Sequence, residues 1–421
     1  MPEAALYERP PVTVAPTPRG RRCSRKHFAL WLAPWIVLLA VGVFASLQCL
    51  IEGLHHTNMD NRYAFGLWIF LDLTVIALGA GVFTSGLLAY VFRLQNVRSV
   101  LNLAVLAGLL CYGGAVVILL VDVGQPLRAW FTFWHPNVHS MLAEVTFCLT
   151  CYLLVLLVEF VPTLTRHRRL RRSAGVAAFG HRVHRGMVVL AVVGATLSFF
   201  HQGSLGGLYG VLQGRPFAFR EELWVFPTTF FLFVLSAMAV GPSFLVVIAR
   251  TFETITKRAL VPHSTIEGLA RLSGRLLLLY LALKTIDTLV WLNSTLPATG
   301  VHPAWLYRQP PFGSWVLIAE LLVLGLVPAA FLVRARAGRH VTWAALLACA
   351  GIALNRLVAT MQTLTLPTLP FESTWNYVPS WQETTAFAGV VALAVIVLSI
   401  AYRADLLFPA ERELASDDPR R

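Results

Sequence analysis

Charge is scarce in this sequence. Lys, Arg, Asp and Glu make up 13% of its 421 residues, about half the roughly 25% of a soluble domain. Mean hydropathy is +0.67. So little charge excludes a soluble enzyme, a disordered regulator and a small disulfide scaffold. Cysteine is sparse as well, with six residues at 23, 49, 111, 148, 151 and 349. Their spacing fits no iron–sulfur cluster, so any such cluster must belong to another subunit. Cys148 and Cys151 form a CxxC. It lies in an apolar run without a second CxxC or a His pair, which reads as packing rather than as a redox or zinc site.

What the chain has in quantity is apolar length. Crossing about 30 Å of hydrocarbon takes about 20 apolar residues. Ten segments qualify, at 29–51, 64–92, 100–121, 139–161, 183–201, 223–249, 268–293, 314–333, 341–361 and 382–403. Long unbroken runs specify helices, since a barrel would show weaker, alternating segments. The expected fold class is therefore an all-α integral membrane protein of about ten transmembrane helices. Residues 29–403 form the membrane domain. Residues 1–28 are a basic, Pro-rich tail expected to be disordered, and 404–421 a C-terminal tail. Arg21-Arg22 faintly resembles a twin-arginine signal, but the run after it lacks a cleavage site, and an uncleaved first span is expected.

Acidic residues are fewer than basic ones, giving a net charge of +13. In a soluble protein that would suggest nucleic acid. Here topology accounts for it. With the N-terminus inside, the inside segments hold 24 Lys and Arg against 5 outside, the other 5 of 34 lying in or at the ends of spans. The positive-inside rule therefore predicts that both termini are cytoplasmic. No nucleic acid partner is required. The basic run Arg166-His167-Arg168-Arg169-Leu170-Arg171-Arg172 suits anionic membrane lipids.

Ionisable residues at membrane depth are costly and each is a functional candidate. The spans hold Asp72, Glu144, Lys284, Asp287, Glu320, Arg356 and Asn355, with His139, His201 and Gln202 at span ends. In the predicted orientation Glu144, Asp287, Glu320 and Arg356 fall about 10 Å below the outer surface, and Asp72 and Lys284 nearer the midplane. His139, His201 and Gln202 fall at the outer rim. Polar groups from several helices thus converge on the outer half, as in a pocket or proton path open to the outside. Interhelical pairing is the plainer reading: Lys284 with Asp287, and Glu320 with Arg356. Trp68 and Asp72 share a face at i,i+4. An inner route would have to use Thr84, Ser85, Thr150, Tyr152, Ser273 and Tyr280, which read equally well as helix-packing groups. Haem b takes two axial histidines at matching depth. Only His139 and His201 match, so a two-haem stack is unsupported.

Several segments then carry a resemblance. They are Gly66-Leu67-Trp68-Ile69-Phe70-Leu71-Asp72, His135-Pro136 through Met141-Leu142-Ala143-Glu144, His201-Gln202-Gly203-Ser204-Leu205-Gly206-Gly207-Leu208, Leu354-Asn355-Arg356 and Tyr377-Val378-Pro379-Ser380-Trp381-Gln382-Glu383. Together the chain resembles the NrfD/PsrC superfamily of quinone-interacting membrane subunits, HybB-like branch. The resemblance implies two four-helix bundles with two extra helices. It implies no haem and no iron–sulfur cluster in this chain, and menaquinone or ubiquinone bound near the outer face. The implied partners are a periplasmic ferredoxin-like iron–sulfur subunit and a catalytic hydrogenase or molybdopterin subunit. The implied location is the bacterial inner membrane.

On that resemblance His139, His201, Gln202, Trp68, Asn355 and Arg356 are candidate quinone contacts, and Glu144 and Asp72 candidate proton carriers. Gly203 departs from the family, which often has Ser there. The expected function is the membrane anchor of a respiratory oxidoreductase, exchanging electrons between a partner's cluster and quinone. Proton translocation could accompany that exchange. The alternatives are a secondary transporter or proton-coupled carrier, a haem b quinone oxidoreductase and a structural scaffold. Against a carrier, Pro242 and Pro328 do not form the paired helix breaks that transporters use.

Overall fold

The computed structural model describes residues 23–408 except 62, 87–94, 138, 166–172, 211–227, 299, 309, 311, 337 and 366–375. Every regular element among the described residues is helical. The long helices in chain order are α1 (Arg25–Glu52), α2 (Leu67–Gly86), α3 (Leu101–Asp122) and α4 (Met141–Thr165), followed by the short α5 (Ala174–Arg185). Then come α6 (Met187–Gly210), α7 (Thr228–Thr256) and α8 (His263–Val290). The last are α9 (Trp315–Val333), α10 (Arg339–Met361) and α11 (Trp381–Arg403). Nine of these are long and apolar enough to cross a membrane. The remaining expected span, α2, has its apolar stretch at Leu67–Gly81. The chain is a multi-pass integral membrane protein.

Hydrocarbon offers no partner to a free backbone group, so each long apolar run closes its own hydrogen bonds as a helix. Start signals are local. Ser24 caps α1 by accepting from the His27 N–H at 3.3 Å. Ser380 and Glu383 form a reciprocal capping box at the start of α11. Pro242 lies inside α7, which stays continuous, and one turn before it the Ser273 hydroxyl of α8 donates to the Ala239 carbonyl at 2.5 Å.

Helix pairing gives two four-helix bundles. α2, α3, α4 and α6 make the first, and α7, α8, α9 and α10 the second. α7 joins them by packing on α2 and α6. α1 and α11 pair with each other, and α11 leans on α3. The implied architecture of two bundles and two extra helices is thus present. Small residues set the closest crossings, as expected where dispersion must replace a hydrophobic drive. A Cβ on Gly81 would lie 2.0 Å from the Gly241 Cα, and one on Gly42 would lie 2.6 Å from the Gly389 Cα.

Both ends of α1 and α11 are tied. Near the end that carries the chain termini, Trp31 Nε1 donates to Ser399 Oγ at 3.1 Å and Arg403 lies over the Phe28 ring. At the far end the α1–α2 connection is tied to α11. Large apolar side chains such as Leu30 and Ile51 on α1 stay exposed, the surface that lipid would cover.

Two departures from expectation matter. First, α6 runs on to Gly210. His201 and Gln202 therefore lie inside a helix rather than at its rim. The cause is the Gly203–Gly207 stretch, which lets α6 continue in close contact with α7. A Cβ on Gly206 would meet the Thr229 carbonyl oxygen at 2.4 Å. Second, α5 is an extra amphipathic helix where a basic loop was expected. Gly180 faces the protein against Thr165, while Phe179 and Arg182 are exposed. The basic run 166–172 lies outside the described residues, as do residues 1–22 and 409–421 and the side chains of Thr84 and Ser85.

Candidate functional site

The first bundle closes around polar groups that lack partners. His201 on α6 is fully buried, and neither ring nitrogen meets a hydrogen-bond partner among the described residues. The backbone of Val145 on α4 lies beside the ring without completing a bond. Gln202 is 2% exposed, and both its amide atoms are likewise unsatisfied. Its amide faces the Tyr112 hydroxyl without reaching hydrogen-bond geometry. Burying such groups unpaired costs on the order of 1–3 kcal/mol each. A cluster of them calls for a partner that the described residues do not supply.

Tyr112 on α3 is the hub. Its ring centroid is 5.7 Å from His201 and 4.4 Å from Tyr152 on α4, the latter edge-on. Its hydroxyl reaches Ser198 Oγ at 3.3 Å. Asp72 on α2 is close enough for its charge to act on Tyr112. Asp72 is 7% exposed and its Oδ1 is unsatisfied. Asp122, at the far end of α3, is the neighbouring carboxyl of Asp72. Tyr152 has Glu159 as a charged neighbour, and Glu159 lies two turns further toward the opposite end of α4. Ionisable groups thus run from Asp122 through Asp72, Tyr112 and Tyr152 to Glu159.

Trp68 is fully buried and donates through Nε1 to the Glu383 carbonyl at 2.8 Å. It shares the inward face of α2 with Asp72, as its spacing predicts. Glu383 itself organises the far end. One carboxylate oxygen accepts from the Tyr377 hydroxyl, and the other from the N–H groups of Asn58 at 3.0 Å and Ser380 at 2.8 Å. The Tyr377 hydroxyl also accepts from the Leu67 N–H at 2.7 Å. Burial first, and then the Glu383 carboxylate, hold the Tyr377 phenol above the ordinary tyrosine range. Burial and Asp60 push Tyr63, stacked on Tyr377, up to about 12.

Asn355 and Arg356 are held in the second bundle. Asn355 donates to Glu320 and accepts from Arg356 at 2.9 Å, so the expected Glu320–Arg356 pairing runs through an amide. Arg356 also donates to Ser236 Oγ at 2.9 Å and lies 3.7 Å over the Phe233 ring. Glu320 sits in a π-helical stretch, Ile318–Leu326, a local widening common where side chains are placed for function. Tyr280, Lys284 and Asp287 are buried in the same bundle.

His139 and Glu144 are exposed. Glu144 is on the first turn of α4, and the residue after it, Val145, is the one whose backbone borders His201. Glu144 is therefore at the lip of the cluster rather than within it. The aromatics Trp130, Phe131 and Trp134, in the segment just before α4, are also exposed. Sequence reasoning missed Tyr112, Ser198 and Asp122. Tyr112 counted as one more apolar residue of its span, and Asp122 fell one residue past the span's expected end. Their shared signal was a hydroxyl or carboxylate on the face that packs inward.

Known proteins share this chain's sequence over most of its length. Residues 55–367 match the family model described as "Polysulphide reductase, NrfD". The chain is 46% identical to the "Menaquinone reductase, integral membrane subunit" of Nitratidesulfovibrio vulgaris Hildenborough, over 96% of this chain and 98% of that one. It is 22% identical to a selenate reductase subunit of Mesobacillus selenatarsenatis, over 89% and 93% of the two chains. It is 27% identical to the "Probable Ni/Fe-hydrogenase 2 b-type cytochrome subunit" of Escherichia coli K12, over 46% and 48%.

Proposed function

Since the chain belongs to the NrfD family of membrane subunits, we propose that it is the quinone-reacting anchor of a respiratory oxidoreductase. It exchanges electrons between a partner's iron–sulfur cluster and a membrane quinone. The observation that carries this reading is the set of unsatisfied atoms on His201, Gln202 and Asp72 around Tyr112. The 46% identity to a menaquinone reductase subunit favours menaquinone over ubiquinone.

A quinone head group carries two carbonyl oxygens that take up two protons with two electrons. The donors around Tyr112 fit it. A His201 ring N–H, the Gln202 amide and the Tyr112 hydroxyl can donate to the carbonyl oxygens. Asp72 can hold and exchange the proton that a hydroxyl gains or loses. The apolar faces of α2, α3, α4 and α6 exclude water from the head group. Glu144, at the lip, exchanges protons with the exposed end of α4.

We assign that end to the periplasm, from the excess of basic residues at the opposite end. A periplasmic ferredoxin-like subunit carrying the clusters, joined to a hydrogenase or molybdopterin catalytic subunit, would dock over the exposed aromatics. Such a chain resides in the bacterial inner membrane with both termini cytoplasmic. The run from Asp72 through Tyr112 and Tyr152 to Glu159 supplies a proton route to the other face. Among the described residues His201 is the one buried histidine, so a haem held by two buried histidines has no second ligand, and we assign none to this chain.

The test is purification of the assembly in mild detergent, with mass spectrometry, quinone extraction and a visible spectrum. Co-purifying iron–sulfur protein, extractable menaquinone and no Soret band from this chain are expected. A chain that purifies alone and free of quinone would overturn the reading and return a carrier to the front.

A further inference from the structure

Outside the buried cluster, one group of side chains among the described residues has the composition of a metal site. Glu52 is the last residue of α1, and His55 and His56 follow in a single 3-10 turn, Leu54–His56. Each can offer one ligand atom, and these atoms all lie within 4.8 Å of one another. His56 Nε2 already touches Glu52 Oε2. The two imidazole rings lie side by side, with centroids 4.1 Å apart.

The backbone that sets this geometry is fixed from outside the group. Gly53 has φ +102°, a conformation that costs glycine little, and it turns the chain so that His55 comes back toward Glu52. Thr57 closes the turn through its hydroxyl and its N–H, both donated to the Leu54 carbonyl, at 2.6 and 2.9 Å. Asn58 is then anchored to the buried Glu383 carboxylate. The ligands are exposed or half-buried, so only their side chains must rotate to close a shell. Ligand atoms around one ion stand about 3–3.5 Å apart at bond lengths of about 2.0–2.2 Å.

We propose that Glu52, His55 and His56 form a binding site for one divalent cation of the zinc class. Two imidazoles and one carboxylate select Zn2+, Co2+ or Ni2+ over Mg2+ and Ca2+, which prefer all-oxygen shells. One carboxylate and two neutral rings leave a coordination position for water. The bound ion links the end of α1 to the turn that leads into the Glu383 anchor. The turn packs against the residues that follow α3, since a Cβ on Gly124, two residues past Asp122, would lie 3.2 Å from Leu54 Cδ1.

The probes are Zn2+ and Co2+ added to the untagged full chain in its purified assembly, then desalted. Metal is counted by mass spectrometry, and the Co2+ coordination is read from visible absorption. One retained equivalent is expected, with the absorption of a four- or five-coordinate ion, unaffected by excess Mg2+ or Ca2+. His55→Ala and His56→Ala should each lose that equivalent while keeping the wild-type melting temperature without metal and unchanged quinone-analogue binding. Should wild type retain no metal, or should both variants retain as much as wild type, the proposal is wrong. In the first case the contact between His56 and Glu52 is an ion pair and nothing more.

Discussion

The ring of His201 lies 5.7 Å from the ring of Tyr112 at a tilt of 48°. That relationship ties α6 to α3 at the centre of the first bundle, with Tyr152 edge-on behind it. In a close-packed membrane protein, a buried histidine with both nitrogens unsatisfied is an expensive arrangement. A carbonyl-bearing head group would supply the missing partner, as we propose.

His201→Ala is expected to weaken binding of a quinone-site inhibitor by about tenfold, the cost of roughly one hydrogen bond to a buried partner. Assembly and melting temperature should stay near wild type. Fluorescence titration of the inhibitor checks the first and a melting curve the second. A variant that no longer assembles would make His201 a packing residue instead.

Asp72→Asn should leave quinone-analogue binding in place while lowering turnover by about 100-fold, the lower end of what general acid–base groups contribute. Glu144→Gln, at the lip, should lower turnover less, because water can replace an exposed carrier. Steady-state kinetics with a soluble quinol separates the two through KM and maximal rate. Equal losses would contradict the difference in their burial.

Arg356→Ala removes the guanidinium held by Asn355, Ser236 and the Phe233 ring. Breaking such a buried network costs about 3–5 kcal/mol, read as a large drop in melting temperature or in yield. Arg356→Lys should recover little of it, since a single ammonium cannot span the same acceptors.

Gly203→Ser should destabilise this chain by about 1–3 kcal/mol. A Cβ there would lie 2.0 Å from the Phe230 ring. Adding Phe230→Leu should recover much of the loss, which melting curves of the single and double variants test.

The far-end tyrosines carry a pH signature. Burial and Asp60 hold Tyr63 up at about 12, and burial and Glu383 raise Tyr377. A folded-state value above the unfolded value near 10 stabilises the protein fully below about pH 10. That stability is lost as pH rises through the folded value. Wild type should therefore lose melting temperature between about pH 10 and 12, and the Tyr63→Phe, Tyr377→Phe double variant should lose less.

The spans were legible in the sequence, because hydropathy alone decides what enters hydrocarbon, whereas the two-bundle arrangement was expected only from the family resemblance. Trp68 and Asp72 were placed on one inward face by i,i+4 spacing, and the fold keeps them there. Glu320 and Arg356 were matched correctly as neighbours, but the amide of Asn355 between them was not foreseen, since one-dimensional depth says nothing of lateral geometry. His201 and Gln202 were placed at a rim because the apolar run was bounded at 183–201. In fact the Gly203–Gly207 stretch extends α6 by letting it approach α7. Tyr112 stayed hidden because a tyrosine inside an apolar run looks like any other core residue. Only the placement of α3 and α6 across the bundle from each other, each packed on α2 and α4, shows that its hydroxyl faces the polar groups.

The most direct test of the central claim is photo-crosslinking of the purified assembly with an azido-menaquinone, followed by peptide mapping. Labelling within α2, α3, α4 and α6 around His201, competed by unlabelled menaquinone and lost in His201→Ala, is the predicted result. Competable labelling confined to α7–α10, around Arg356, would place the quinone in the other bundle and contradict the account.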